Sequence, residues 1–571
     1  MIRTLLRYGG LAGVVALGAC DLPVKNPNQP ATQEVLATPN DAEALLAAYY
    51  KRWHDGIWRN LGNVRGMANV QSFENYSSLA NNCQNSRAPI PRPGNDNSIG
   101  NTCSGEQQRV YFVENEVARV ASNLLARAED PQFVLGSRAQ LLRFKAFGEF
   151  LRGVSLGYLA LFYDSSAVIS QNMSANAADC LPDPLSGACV GALRPYTEVM
   201  DSALVALQRS IDTASLAAAS ATGGFPLPAT WIPSTTTFTS AEFIRLVRSY
   251  KARFRANVAR TPAERAAVDW TQVIADAQAG ITADHDNITN TTTGPFNTWV
   301  AQYDTYGLWH QMPPFYIGMA DNSGSYATYI ATPLGQRGSS GAFFMTTPDL
   351  RFPQGGTRAA QQADFAITSC QASGTVCKRY FVNRPAGGDQ NVGDGWGWSN
   401  YDFVRWHSWR VSGDANSGQN GKLVFMTRAE IRLLEAEGQY RLNNFAAAVP
   451  LVNVTRTANG LPAITAANAT TPVPGGADCV PKVPVGPAFN TVACGNLLEA
   501  IKYEKRIETA YTGFGQWFLD ARGWGDLAEG TPLFWAVPYQ DLQVRTAPIY
   551  GTGVGAGTAA NSAAPKGTYG W

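Results

Sequence analysis

Glu504 and Glu508 stand one helical turn apart in the stretch 496–524, where Ala500, Tyr503, Ile507, Ala510 and Phe514 recur at helical spacing and predict one helix and the loop that leaves it. Paired carboxylates are what hydrolysis of a glycosidic bond uses, one as proton donor and one as base or nucleophile. Like charges one turn apart also repel. The competing expectation is therefore structural: Glu504 and Glu508 are held by Arg506, Arg522 or a distant arginine, and Glu504, Arg506, Glu508, Asp520 and Arg522 form ion pairs that fix the last helix against its neighbours.

No other catalytic constellation is present in the sequence. His54, His285, His310 and His407 lie far apart with no His-Glu-x-x-His helix, no Gly-x-Ser-x-Gly elbow occurs, and the Gly-rich tail after Tyr550 lacks the strand and helix that a nucleotide loop needs. Asp389, Asn391 and Asp394 have calcium-loop spacing, but no bidentate glutamate follows. The expectation is no cofactor and no metal.

Aromatic side chains offer a different chemistry, because flat sugar faces stack on rings while polar side chains read hydroxyls, and peptides use the same rings as apolar slots. One cluster holds Trp299, Tyr303, Tyr306, Trp309, Phe315 and Tyr316; the other holds Trp396, Trp398, Tyr401, Trp406 and Trp409, with Asn400, Asp402 and Arg405 beside it as polar readers. For any single ring the competing expectation is packing in a loop-built core.

The elements that position these residues follow from composition and periodicity. The 571 residues are 45% hydrophobic and 11% aromatic, enough for a large core, and a net charge of +1 provides no global field for nucleic acid or an anionic membrane. Arg3 and Arg7, a short apolar run over 11–17 and Leu17-Gly18-Ala19-Cys20 read as a lipoprotein signal peptide, with residues 1–19 removed, Cys20 lipidated and 20–37 an extended tether. The remaining eight cysteines fall in close pairs, Cys83 with Cys103, Cys180 with Cys189, Cys370 with Cys377, and Cys479 with Cys494. Four local disulfides suit an exported chain; zinc is the rival, disfavoured by the absence of Cys-x-x-Cys and the scarcity of histidine.

Helical periodicity covers 38–59, 113–163, 196–281, 427–460 and 496–524 within a single body from 38 to 571, with one helix spanning 262–281. Pairs of amphipathic helices joined by short turns predict a mainly α, tetratricopeptide-like superhelix of helical hairpins. Residues 287–420 are rich in Gly, Asn, Thr, Ser and aromatics without long helices, and form a loop-rich insert where binding is expected.

A family likeness runs through nearly the whole chain. Its residues are the lipobox with Asn26-Pro27-Asn28; Ala42-Glu43-Ala44-Leu45-Leu46-Ala47-Ala48-Tyr49; Arg143-Phe144-Lys145-Ala146 with 158–163; and Ser249-Tyr250-Lys251-Ala252-Arg253 with Ala259-Arg260. Two later stretches complete it: 428–437, and Glu504-Lys505-Arg506-Ile507-Glu508 with Phe518-Leu519-Asp520-Ala521-Arg522. In this order they resemble the SusD/RagB family of outer-membrane nutrient-binding lipoproteins, with Thr512 and Gln516 standing where members commonly carry an acid and an arginine.

The resemblance implies a helical superhelix on one side and a loop-rich ligand-binding half on the other. It also implies a surface-exposed, lipid-anchored outer-membrane protein that binds an oligosaccharide or peptide without chemistry. Such a protein delivers its ligand to a TonB-dependent, SusC-like barrel, which the helical half would meet. A membrane-anchored glycoside hydrolase and a helical-repeat envelope scaffold are the alternatives.

Overall fold

The computed structural model describes residues 38–58, 64–75, 89–169, 191–219, 224–289, 312–337, 343–366, 377–384, 399–406, 421–552 and 563–571. The expected signal peptide, Cys20 and the tether lie outside them.

Helix α1 (Pro39–Trp58) begins where Thr38 Oγ1 accepts the Asp41 amide at 3.2 Å and caps it. α2 (Val64–Gln71) follows. The expected hairpin is α3 (Gly105–Arg127) and α4 (Arg138–Phe162). α3 starts about two turns before 113 because its first buried positions, Glu106 and Gln107, are polar and carry no apolar period. α4 lies close against its neighbours: a Cβ on Gly153 would come within 2.7 Å of Leu207, and one on Gly157 within 2.0 Å of Phe254.

The frame continues with α5 (Tyr196–Ala218), α6 (Ser240–Asn257), α7 (Pro262–Ala266) and α8 (Trp270–Gln278). The single helix expected over 262–281 is thus two. Asp269 interrupts it, its side chain accepting the Gln272 amide at 3.1 Å and capping α8 instead of continuing α7.

The described parts of the insert hold only short helices, α9 (Pro314–Ile317), α10 (Ser325–Ala331) and α11 (Arg358–Asp364). Small antiparallel ladders occur in the insert and its neck and also outside it. β1 (Ser165–Ala167) pairs with β2 (Leu193–Pro195), β3 (His285–Thr289) with β6 (Gly421–Met426), β4 (Phe381–Asn383) with β5 (Tyr401–Phe403), and β7 (Lys482–Val485) with β8 (Thr491–Cys494). The β3–β6 pair is the neck of the insert, with Asn287 opposite Leu423. It is built into the frame: Tyr50 of α1 donates to Asn287 Oδ1 at 2.9 Å, and Phe425 lies 5.5 Å from Trp53, ring centre to ring centre.

After the neck come α12 (Arg428–Arg441), α13 (Phe445–Ala458), α14 (Leu497–Thr509), α15 (Gln516–Trp524) and α16 (Tyr539–Val544). The stretch 496–524 is therefore two helices. Between them Tyr511, Gly513 and Gly515 take φ values of 57°, 62° and 65°, which end one helix and redirect the next. The strained Tyr511 is held by Glu74, whose carboxylate accepts the Tyr511 amide at 2.6 Å and whose carbonyl accepts the phenol at 2.9 Å.

The helices pack in a row: α1 on α3, α3 on α4, α4 on α5, α5 on α6, α6 on α8, α8 on α12, and α12 on α13 and α14. α8 and α12 are neighbours although the insert separates them in sequence, so the insert leaves the helical row and returns to the same place. One apolar cluster unites both halves, joining Phe147 and Trp517 of the frame to Phe315, Phe381 and Phe403 of the insert. The result is the mainly α superhelix of hairpins that periodicity predicts.

Candidate functional site

Glu504 and Glu508 are fully enclosed. Arg351, from the insert, places Nη1 2.8 Å from Glu504 Oε2 and 3.1 Å from Glu508 Oε1, and Nη2 2.7 Å from Asp349 Oδ2. Arg405 adds a contact to Glu508 Oε2 at 2.8 Å, and Tyr503 donates to Asp349 Oδ2 at 2.7 Å. Burial opposes the Arg351 charge, but Asp349 and Glu504 outweigh it and hold the group well above its usual range. Burial pushes the Glu504 carboxyl up while Arg351 pulls it down.

A hydrolase needs its carboxylates open to a sugar and a water. These two are consumed by arginines, with no path for either, and their geometry is that of a tie between insert and α14.

The other charged residues of this stretch divide differently from expectation. Arg506 pairs with Asp526, which also receives Lys502 at 2.9 Å. Asp520 receives Lys505 at 2.7 Å and Arg265 at 3.3 Å. Gln516, standing where the family commonly has arginine, donates to Asp520 at 3.1 Å. Arg522 is a correction: it forms no ion pair among the described residues and gives its protons to the carbonyls of Leu161, Leu533 and Asn257.

The second aromatic cluster is also revised. Tyr401 has no exposure and its hydroxyl donates to Met345 O or Gln361 Oε1; Trp406 is buried and donates to Ala510 O at 3.1 Å. Asn400 and Asp402 are buried, Asp402 3.2 Å from Arg384. Arg405 is clamped between the rings of Tyr380 and Trp406, 4.1 and 4.3 Å from their centres, and bonded to Glu508. Tyr401, Trp406, Asn400 and Asp402 are thus buried in packing and tying roles, and the part-exposed Arg405 ties Glu508. Alternation of polar and aromatic types along 400–406 looks the same in a buried strand with satisfied polar groups as in a binding loop. Phe315 and Tyr316 of the first cluster are buried as well.

Trp299, Tyr303, Trp309, Trp396 and Trp398 lie outside the described residues, but the residues that follow their segments do not. Met312 follows segment 290–311 in sequence, and Ser399, just before β5, follows segment 385–398. Met312 N donates to Tyr401 O at 3.2 Å, Ser399 Oγ donates to Met312 O, and Ser399 bridges to Phe343. The described residues that follow the two tryptophan-bearing segments, Met312 and Ser399, therefore meet at one buried point, with Tyr401 as its pin. Nothing in sequence periodicity pairs Met312 with Tyr401.

Cys479 and Cys494 form the expected disulfide across the base of the β7–β8 hairpin, and Cys103 and Cys377 each take part in a separate disulfide with a cysteine outside the described residues. Cys83, Cys180, Cys189 and Cys370 lie outside the described residues. Among the described residues no group of three His, Cys, Asp or Glu side chains is placed to hold a metal ion, and no helix is long and apolar enough to cross a membrane.

No protein-family model matches the chain, and no curated protein matches it. Solved structures do. A SusD homologue from Parabacteroides distasonis superposes with a TM-score of 0.52 at 12% identity, over 84% of this chain and 84% of that one. NanU of B. fragilis gives 0.48 at 13%, over 93% and 99%, and a laminarin-binding SusD-like protein 0.47 at 14%, over 90% and 99%. With its hairpin row, its single large insert and this superposition, the chain has the SusD-like fold.

Proposed function

We propose that this protein is a lipid-anchored, non-catalytic binder that captures an oligosaccharide or peptide nutrient and passes it to a TonB-dependent, SusC-like outer-membrane barrel. The observation that supports it best is the meeting of Met312, Ser399 and Tyr401, the described residues next to the two tryptophan-bearing segments. Two tryptophan-bearing segments whose described neighbours meet at one point of the frame suit a ligand of several rings or residues. The SusD-like fold agrees, and the enclosure of Glu504 and Glu508 removes the pair on which a hydrolase reading rests.

The experiment is a glycan and peptide screen with the chain from residue 21, followed by Trp396→Ala with Trp398→Ala and Trp299→Ala with Trp309→Ala. Loss of a stacking ring should weaken the ligand by about tenfold or more with an unchanged melting temperature. A folded protein that binds nothing in the screen, or variants that bind as the parent does, contradicts the reading.

A further inference from the structure

A cavity of about 350 Å³ opens between the start of α7, the end of α15 and residues 564–568, with Arg260, Arg522, Leu527, Leu533 and Lys566 in its wall. None of its lining residues belongs to the insert. Two of them are guanidinium groups with almost no exposure, Arg260 at 4% and Arg522 at 1%.

Part of their role is structural. Arg522 Nη1 donates to Leu161 O at 2.9 Å and Leu533 O at 2.7 Å, and its Nη2 to Asn257 O at 2.9 Å. Arg260 Nη2 donates to Ala160 O at 3.2 Å and Tyr163 O at 2.6 Å. Most of these carbonyls end α4 and α6, so the arginines close two helix C-termini, where a cation is welcome.

That role leaves donors over. Nε of both groups is buried without a hydrogen bond, and Arg260 Nη1 takes part in none of that residue's bonds. Neither group forms an ion pair among the described residues, whereas Arg253 sits 2.7 Å from Glu430 and Arg265 2.6 Å from Glu437. Two carboxylates stand nearby: Glu264 accepts from the Arg260 amide at 2.7 Å and the Tyr196 phenol at 3.1 Å, and Asp164 accepts from the Tyr550 phenol at 2.8 Å while its Oδ1 has no hydrogen bond. Burial lowers both arginines, and the Arg260 cation lowers Arg522 further, against the opposing pull of Glu264 on both and of Asp164 on Arg260.

Arg260 is also oriented. The rings of Tyr196 and Phe534 lie 3.6 and 4.7 Å from its guanidinium carbon, which occupies its planar faces and leaves the in-plane N–H edge. A carboxylate docks in that plane. Lys566, exposed at the rim, adds a third cation, and Leu527 and Leu533 offer apolar wall.

We propose that this cavity is a second binding site, for a small organic carboxylate the size of one sugar acid or a dipeptide, taken in the plane of Arg260 under Lys566 with its apolar side on Leu527 and Leu533. It goes beyond the nutrient-binding reading and does not depend on it.

The test is calorimetric titration of the full mature chain with glucuronate, Gly-Gly and glucose. The carboxylate that fits should bind with a dissociation constant of about 1 mM, the level expected of so small a ligand. Affinity should fall as salt rises. Lys566→Glu, an exposed change, should weaken binding by about tenfold, and Arg260→Gln should abolish it if that variant folds. Preference for glucuronate assigns a sugar acid, and preference for Gly-Gly a peptide terminus. Three results overturn the proposal: no heat with either carboxylate at about tenfold higher concentration, equal affinity in Lys566→Glu, or carboxylate binding that disappears in Trp396→Ala with Trp398→Ala.

Discussion

Arg351 is the side chain on which the most negative charge converges, with Asp349, Glu504 and Glu508 all within 3.1 Å. Removing a buried partner leaves carboxylates that neither water nor another cation can reach fully, since Arg405 serves only Glu508 and Arg456 stands 3.9 Å from Glu504. Arg351→Met should cost about 3–5 kcal/mol, read as a lower urea midpoint, while the ligand affinity of the folded fraction stays unchanged. A loss of affinity at unchanged midpoint would place Arg351 in the binding surface instead. That a distant arginine holds this pair is legible from the repulsion of two glutamates one turn apart. Which arginine it is was not, because Arg351 lies 153 residues before Glu504 in a proline-flanked loop with no period. Arg405 and Tyr401 were misjudged for a related reason: composition reports that polar and aromatic residues alternate, not which way the chain faces.

At the scale of elements, the frame was legible where apolar residues repeat, as in α4, α12 and α13, and misread where a side chain rather than hydrophobicity sets the boundary. Asp269 and Tyr511 each end a helix that the pattern continues. The neck strand β3 has its own signature. His285 of β3 and His54 of α1 are both buried, and burial holds them at about 4 and about 3. An unfolded imidazole takes up its proton below about pH 6.5, whereas these do so only well below that. The stability they contribute is therefore complete above about pH 6.5 and is lost as pH falls from there toward 4, by about 2 kcal/mol per histidine at pH 5. Urea midpoints at pH 7.5 and 5.0 check this: His54→Phe with His285→Phe should flatten the difference, and an unflattened difference would assign the acid sensitivity elsewhere.

For the whole molecule, the shared apolar cluster and the Arg351 tie make frame and insert one cooperative unit. Calorimetry should show a single transition, and Arg351→Met should move it without splitting it; two resolved transitions would mean that the insert folds on its own. The superhelix was legible because it is made of repeated short-range patterns. The binding half was not, because its order depends on pairings such as Met312 with Tyr401 that span almost ninety positions of irregular chain.

The neck carries a last consequence. Paired strands run about 5 Å apart, so the chain departs from β3 and re-enters β6 through a narrow gate in the frame. A frame with that construction can accept a foreign loop block grafted between Thr289 and Gly421 without altering the order of its helices. The graft must bring an arginine at the place of Arg351, because the frame offers Glu504 and Glu508 as a socket, and apolar side chains at the places of Phe315, Phe381 and Phe403, because the frame shares its core with the insert. Exchange of binding specificity is in this sense modular, and the socket sets the admission rule.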